Sequence, residues 1–141
     1  MRIISRLIAV LLVGILASGP TRVAASSTPK DDVRRASIPR DQTKRCPRWE
    51  SWFRAYDLPP KIFSYVAWRE SRCSASALSV VRWTGKPDVG LLQIQGSWVT
   101  VTSNVCKVPR NQVVDALLDV RCNLAVARYL YQNGGLGHWS L

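Results

Sequence analysis

The side chain whose type and placement point most directly to chemistry is Glu70, in the run WRESRC at residues 68–73. A helix is expected over KIFSYVAWRESRC, residues 61–73, and at helical spacing Phe63, Val66 and Ala67 share one stripe. Glu70 follows them by seven, four and three residues, so it falls inside that apolar stripe. Arg69 and Arg72 turn instead toward the face of Lys61 and Tyr65, which argues against an ion pair within the helix. Burial against apolar groups disfavours the charged carboxylate and raises its pKa. An acid still protonated near neutrality suits proton donation to a leaving oxygen. The competing reading is a helix-end glutamate that curls back to solvent or pairs with an arginine from elsewhere in the chain.

Other chemistries have less to stand on. There is no Walker-type glycine loop and no Ser/His/Asp set. The single histidine, His138, sits beside Trp139 and reads as structural. Four cysteines lack a C-x-x-C pair and lie far from that histidine, so no metal site is expected, and no cofactor is called for.

The elements that must position Glu70 follow from pattern. In CPRWESWFRAYDLPP, Trp49, Trp52, Phe53 and Tyr56 lie on one helical face, with Pro47 in the first turn and Pro59-Pro60 as the stop. After the Glu70 helix, Val80, Val81 and Trp83 favour extended chain and GKPD favours a turn, so a short β-hairpin is expected. GLLQI continues into a helix or buried turn. Asn111 to Gly134 is expected to be helical, with Val120, Leu124, Ala127 and Tyr131 on one face. Asp119 is a candidate cap and Gly134-Gly135 a stop. The class is α+β, mainly helical, with a short β-hairpin between helices.

The N-terminal part reads differently. Arg2 and Arg6 precede the apolar run Leu7–Ala17, and small residues at 23 and 25 follow. This is the pattern of a signal peptide over residues 1–25, cut after Ala25, with an apolar run too short to span a bilayer. Residues 26–45 lack apolar periodicity and read as a disordered basic linker. The folded domain is placed at 46–141, in a secreted or cell-envelope protein with no stable membrane span after cleavage. An even cysteine count in an exported chain implies disulfides. Spacing does not choose among the three possible pairings. Cys46–Cys73, joining the first two helices, and Cys106–Cys122, closing a loop, are the expected pairs.

The formal net charge is +11, of which three units belong to Arg2, Arg6 and Arg22. A basic protein attracts polyanions. For an exported chain the anionic bacterial envelope is a better match than nucleic acid, which is not expected as a partner.

With these residues in order, the chain resembles the lysozyme-like superfamily, in particular soluble lytic transglycosylase domains and C-type lysozymes, of the small exported actinobacterial type. The resemblance is carried by WRESRC, DVGLLQI, LLDVRCNLAVARYLY and HWS and covers residues 46–141. It implies Glu70 as the catalytic acid, Ser71 as its support, and Gly90–Ile94 as a cleft-lining segment with Gln93 and Ile94 toward substrate. It also implies Asn123 as a structural or cleft-lining residue and Trp139 as a packing residue. Asp88, two before Gly90, matches the second carboxylate of C-type lysozymes, although capping the turn after Pro87 is the plainer role. Two departures are that Gln95 stands where asparagine is usual and that no Tyr-Asn motif is present.

The implied activity is cleavage of the β-1,4 bond between N-acetylmuramic acid and N-acetylglucosamine in peptidoglycan glycan strands, by a monomer acting as a lytic transglycosylase. The alternatives are a hydrolytic lysozyme using Glu70 and Asp88, and a non-catalytic wall-binding module on the same fold. Trp83 and Trp98 are candidates for stacking on sugars, with core packing the plainer role for both.

Overall fold

A computed structural model describes residues 36–80 and 85–141. The signal-peptide reading of residues 1–25, the first part of the linker, Val81 and Trp83 lie outside the described residues.

Five α-helices and a small sheet make up the described part. Helix α1 is Glu50–Ala55 and α2 is Pro60–Ser71. Strands β1 (Leu78–Val80), β2 (Pro87–Val89) and β3 (Ile94–Gln95) follow. Helices α3 (Val99–Cys106), α4 (Val113–Leu118) and α5 (Val120–Gly134) complete the order. Short 3₁₀ turns precede α1 and α4, and another, Gly135–Trp139, follows α5. The mainly helical α+β class read from the sequence is the class observed.

The expected first aromatic face is split between two layers. Phe53 is fully buried, whereas Trp49, Trp52 and Tyr56 are half-buried against the core. The expected stop at Pro59-Pro60 comes earlier: α1 ends at Ala55 through left-handed Asp57, at φ +55°, with the Leu58 N–H donating to the Phe53 carbonyl, and Pro60 instead opens α2, where its missing N–H costs nothing. On α2, Phe63, Val66 and Ala67 are buried as the stripe requires. Phe63 is the hub of the core, with Tyr131 at 5.4 Å and Trp139 at 5.0 Å, both edge-on.

The expected single helix from Asn111 to Gly134 is in fact two. It breaks at Asp119, whose extended backbone lets its carboxylate accept from the Arg121 and Cys122 N–H groups at 2.8 and 3.3 Å. Asp119 is thus the cap that was expected, but the cap requires non-helical backbone and interrupts the run. Gly135, at φ +61°, stops α5.

The hairpin gains a third strand. β1 pairs antiparallel with β2 and β2 with β3, so Asp88 sits opposite Ser79 on one side and Gln95 on the other. Period-two alternation sends Val89 fully into the core and leaves Asp88 half-exposed on the opposite side.

The C-terminal part of the expected linker is ordered. Ala36 and Ile38 pack against the core, and Gln42–Lys44 form a 3₁₀ turn capped by Asp41. An isolated isoleucine gives no periodic signal, yet it has an apolar surface to cover once α2 is in place.

Both expected disulfides are present. Cys46–Cys73 ties the chain before α1 to the end of α2. Cys106–Cys122 ties the end of α3 to the first turn of α5. Among the described residues no helix is long and apolar enough to cross a membrane.

Candidate active site

The last turn of α2 is fixed from three directions. Arg72 and Cys73 both adopt left-handed backbone, at φ +52° and +68°, which turns the chain sharply after the helix. The Cys73 carbonyl accepts from Arg48 Nη2 at 2.6 Å and Trp49 Nε1 at 3.1 Å. With the Cys46–Cys73 bond, these contacts leave the helix end little freedom to fray, and Glu70 is carried on it.

The segment Val89–Leu92 is held by a set of side chains from distant parts of the chain. Asn123, fully buried on α5, donates from Nδ2 to the Val89 carbonyl at 2.8 Å and the Leu117 carbonyl at 3.0 Å. Its Oδ1 accepts from the Leu92 N–H at 3.1 Å. Gln93 Nε2 donates to the Gly90 carbonyl, and Trp139 Nε1 donates to that of Leu92. Ser71 Oγ lies 2.8 Å from the Leu91 carbonyl and 3.0 Å from that of Ala67, so its one hydrogen bridges the segment to α2. Four successive carbonyls are therefore satisfied without a regular ladder, as buried backbone requires. Gly90 is needed here. Its φ is +76°, and a Cβ would stand 2.5 Å from both Asn123 Nδ2 and the Leu117 carbonyl.

These elements enclose a polar cleft of 370 Å³. Glu70 and Asp88 line it, with Gln93, Ile94 and Gln95 from the sheet region and Trp98, Leu130, His138 and Trp139 from the segments that follow it in the chain. Four of the six residues singled out from the sequence, Glu70, Asp88, Gln93 and Ile94, thus converge on one cavity. Ser71 and Asn123 do not line it. Both lie behind the wall, where their side chains bond to its backbone and position it.

Burial raises the Glu70 carboxyl above the usual carboxylate range, and the charge of Asp88 adds to the rise. The guanidinium of Arg69 opposes it. Arg69 does lie toward Tyr65, with its guanidinium 5.9 Å from that ring centre, but Nη2 also stands 3.9 Å from Glu70 Oε1, which corrects the expectation of no ion pair within the helix. Its long stem reaches back across the side of the helix to a neighbour one residue on. At that distance the contact is an ion pair without a hydrogen bond. Arg72 does turn away, with its guanidinium 4.1 Å from the Trp68 ring centre. Asp88 is raised as well, through burial alone. The cleft therefore holds two carboxyl groups that both resist ionisation, one of them beside a fixed positive charge.

His138, read from the sequence as structural, is exposed and lines this cleft, with its ring edge-on to Trp98 at 5.6 Å. The turn Gly135–Trp139 folds back along α5 and carries it there. Trp98 is 36% exposed at the cleft wall, which favours the ligand-facing reading over core packing. Neither residue had a periodic signal to announce it. Gln95 lies in the cleft too, with Oε1 accepting from Ser97 Oγ. Among the described residues no cluster of His, Cys, Asp and Glu is arranged to hold a metal ion.

No protein-family model matches the chain, and no curated protein matches it either.

Proposed function

We propose that the chain is a peptidoglycan-cleaving enzyme of lysozyme-like type, with Glu70 as its acid and base. The observation that carries this reading is a half-buried carboxyl with a raised pKa, fixed on a stapled helix end and facing a polar, tryptophan-walled cleft. Such an acid is protonated over a wider pH range than a solvated one and can donate to a bridging glycosidic oxygen.

In the transglycosylase course, Glu70 gives its proton to the oxygen that links N-acetylmuramic acid to N-acetylglucosamine. The bond from C1 of the muramic sugar to that oxygen breaks, and the N-acetylglucosamine leaves as an alcohol. The 6-hydroxyl of the same muramic residue attacks C1, and Glu70 takes back its proton. The product is a 1,6-anhydro sugar, and no water is consumed. A nucleophile held within the substrate needs no second carboxylate to deliver it.

The presence of Asp88 in the same cleft favours a second reading, hydrolysis. Its carboxylate would stabilise positive charge at C1, or attack there, while water completes the reaction. Two disulfides among the described residues fit an exported protein that acts in an oxidising envelope.

Mass spectrometry of wall glycan digested by the protein tests both courses. Anhydro-muramic ends support the transglycosylase and reducing ends the hydrolase. Glu70→Gln should reduce either by at least about a hundredfold, since general acid catalysis contributes on that order. Equal digestion by wild type and Glu70→Gln would defeat the proposal and leave binding without catalysis as the reading.

A further inference from the structure

A second concave site lies away from the cleft and shares no residue with it. It is a groove of 650 Å³ between the turn that precedes α1, α1 itself and the segment after α2. Arg48, Trp49, Trp52, Arg72, Ser74 and Ser76 carry its chemistry. The volume falls within the range of small-ligand sites, roughly 300–1,000 Å³.

Trp49 and Trp52 meet edge to face, 5.9 Å apart with planes at 70°, so together they form a corner of two aromatic surfaces. Both are only half-buried. The Arg48 guanidinium lies 5.3 Å from the Trp49 ring centre. Each guanidinium has five N–H donors. Arg48 gives one bond to the Cys73 carbonyl, and Arg72 gives one to the Trp68 carbonyl with its guanidinium 4.1 Å from the Trp68 ring centre, so each spends one donor within the fold and stacking leaves the in-plane N–H groups of Arg72 unspent. Among the described residues no carboxylate lines the groove to neutralise them. Ser74 and Ser76 offer hydroxyls 3.4 Å apart, on side chains small enough to leave the groove open. The Cys46–Cys73 bond and the bonds to the Cys73 carbonyl tie one wall to the other, so the groove exists before any ligand arrives.

We propose that this groove binds an acidic sugar: a pyranose whose apolar C–H face rests on the tryptophan corner and whose acidic group lies between Arg48 and Arg72. Indole faces accept an amphipathic ring and keep their polar edge for hydrogen bonding. Guanidinium forks match carboxylate and phosphate oxygens in pairs. The two serines then meet ring hydroxyls. A pit with two guanidiniums fits one acidic group better than a nucleic-acid backbone, which is followed by a track of cations. This site does not depend on catalysis at Glu70.

The test follows the indole N–H signals of the full chain by NMR during titration with a galacturonic acid trimer, the neutral galactose trimer, glucose 6-phosphate and oligodeoxythymidine. The acidic trimer should shift Trp49 and Trp52, not Trp98 or Trp139, and should bind at least about tenfold more tightly than the neutral trimer, as loss of charge-assisted bonds predicts. The combined substitution of Arg48→Gln and Arg72→Gln should remove that preference, while Glu70→Gln should leave it unchanged. Tighter binding of glucose 6-phosphate than of galacturonate would assign phosphate as the preferred acidic group. Equal binding of the neutral trimer, shifts confined to Trp98 and Trp139, or preferential binding of oligodeoxythymidine would overturn the proposal. Should the double variant fold poorly, the map of shifts on the unsubstituted chain decides alone.

Discussion

Asn123 gives the sharpest test of how the cleft is built. Replacing it by alanine removes one acceptor and two donor contacts at a position with no solvent exposure. The Leu92 N–H and the carbonyls of Val89 and Leu117 lose this partner together. An unmet buried polar group costs about 1–3 kcal/mol, and water entering the vacated space would meet part of the need, so a loss of about 3–6 kcal/mol is expected. Whole domains have only about 5–15 kcal/mol to lose. Denaturant unfolding at neutral pH measures the loss directly, through the midpoint at unchanged slope. Hydrogen exchange adds a local reading, since the Leu92 amide should exchange much faster. Asn123→Asp is the informative companion. It keeps the acceptor but replaces both donors with a buried charge, so it should be as damaging as alanine at pH 7 and milder in acid. A loss below about 1 kcal/mol in Asn123→Ala, with the Leu92 amide still protected, would refute the claim that this side chain holds the cleft wall.

Glu70→Gln should raise stability at neutral pH. The folded-state pKa of Glu70 lies above its unfolded value, so the folded form favours the proton, and the wild type loses stability as pH rises from the ordinary carboxylate range through the folded pKa. Thermal melts of the two proteins should converge in acid, below both values, and diverge above; a variant less stable at pH 7 would contradict this sign. Gly90→Ala combines a positive φ with a Cβ overlapping Asn123 and the Leu117 carbonyl, and should cost more than about 2 kcal/mol by denaturant unfolding. Serine at both Cys46 and Cys73 opens a link across 27 residues and should lower stability by about 3.5 kcal/mol on the loop-entropy scale. The same change should weaken any wall-cleaving activity at temperatures where the rest of the fold still stands, because the helix end carrying Glu70 frays first.

Much of this organisation was legible in the chain itself. Helical periodicity placed Glu70 beside Phe63, Val66 and Ala67, because burial of one stripe is a local consequence of side-chain order on α2. The cap at Asp119 and the stop at Gly135 are likewise local, set by backbone conformations that few residues accept. What the chain could not declare were contacts formed across long separations. Asn123 reaches Val89 and Leu92, Trp139 reaches Leu92, and His138 enters the cleft, all through folding back of α5 and its final turn. No spacing rule links such residues, because their proximity depends on how the helices pack.

The reach of Arg69 to Glu70 was missed for a related reason: angular position fixes where a side chain leaves the helix, not where a long flexible stem ends. Ile38 packs against the core without a sequence signal of its own, because one apolar residue has no period. The sequence by itself determined the helical class and the acid within an apolar stripe, since each depends on neighbours within a few turns. The tertiary structure alone decided that Glu70 and Asp88 share a cleft, that Ser71 and Asn123 stand behind it, and that a second groove of arginines and tryptophans forms at the end of α2. Those arrangements are set by packing between distant segments, where the burial of polar backbone leaves few ways to satisfy every hydrogen bond.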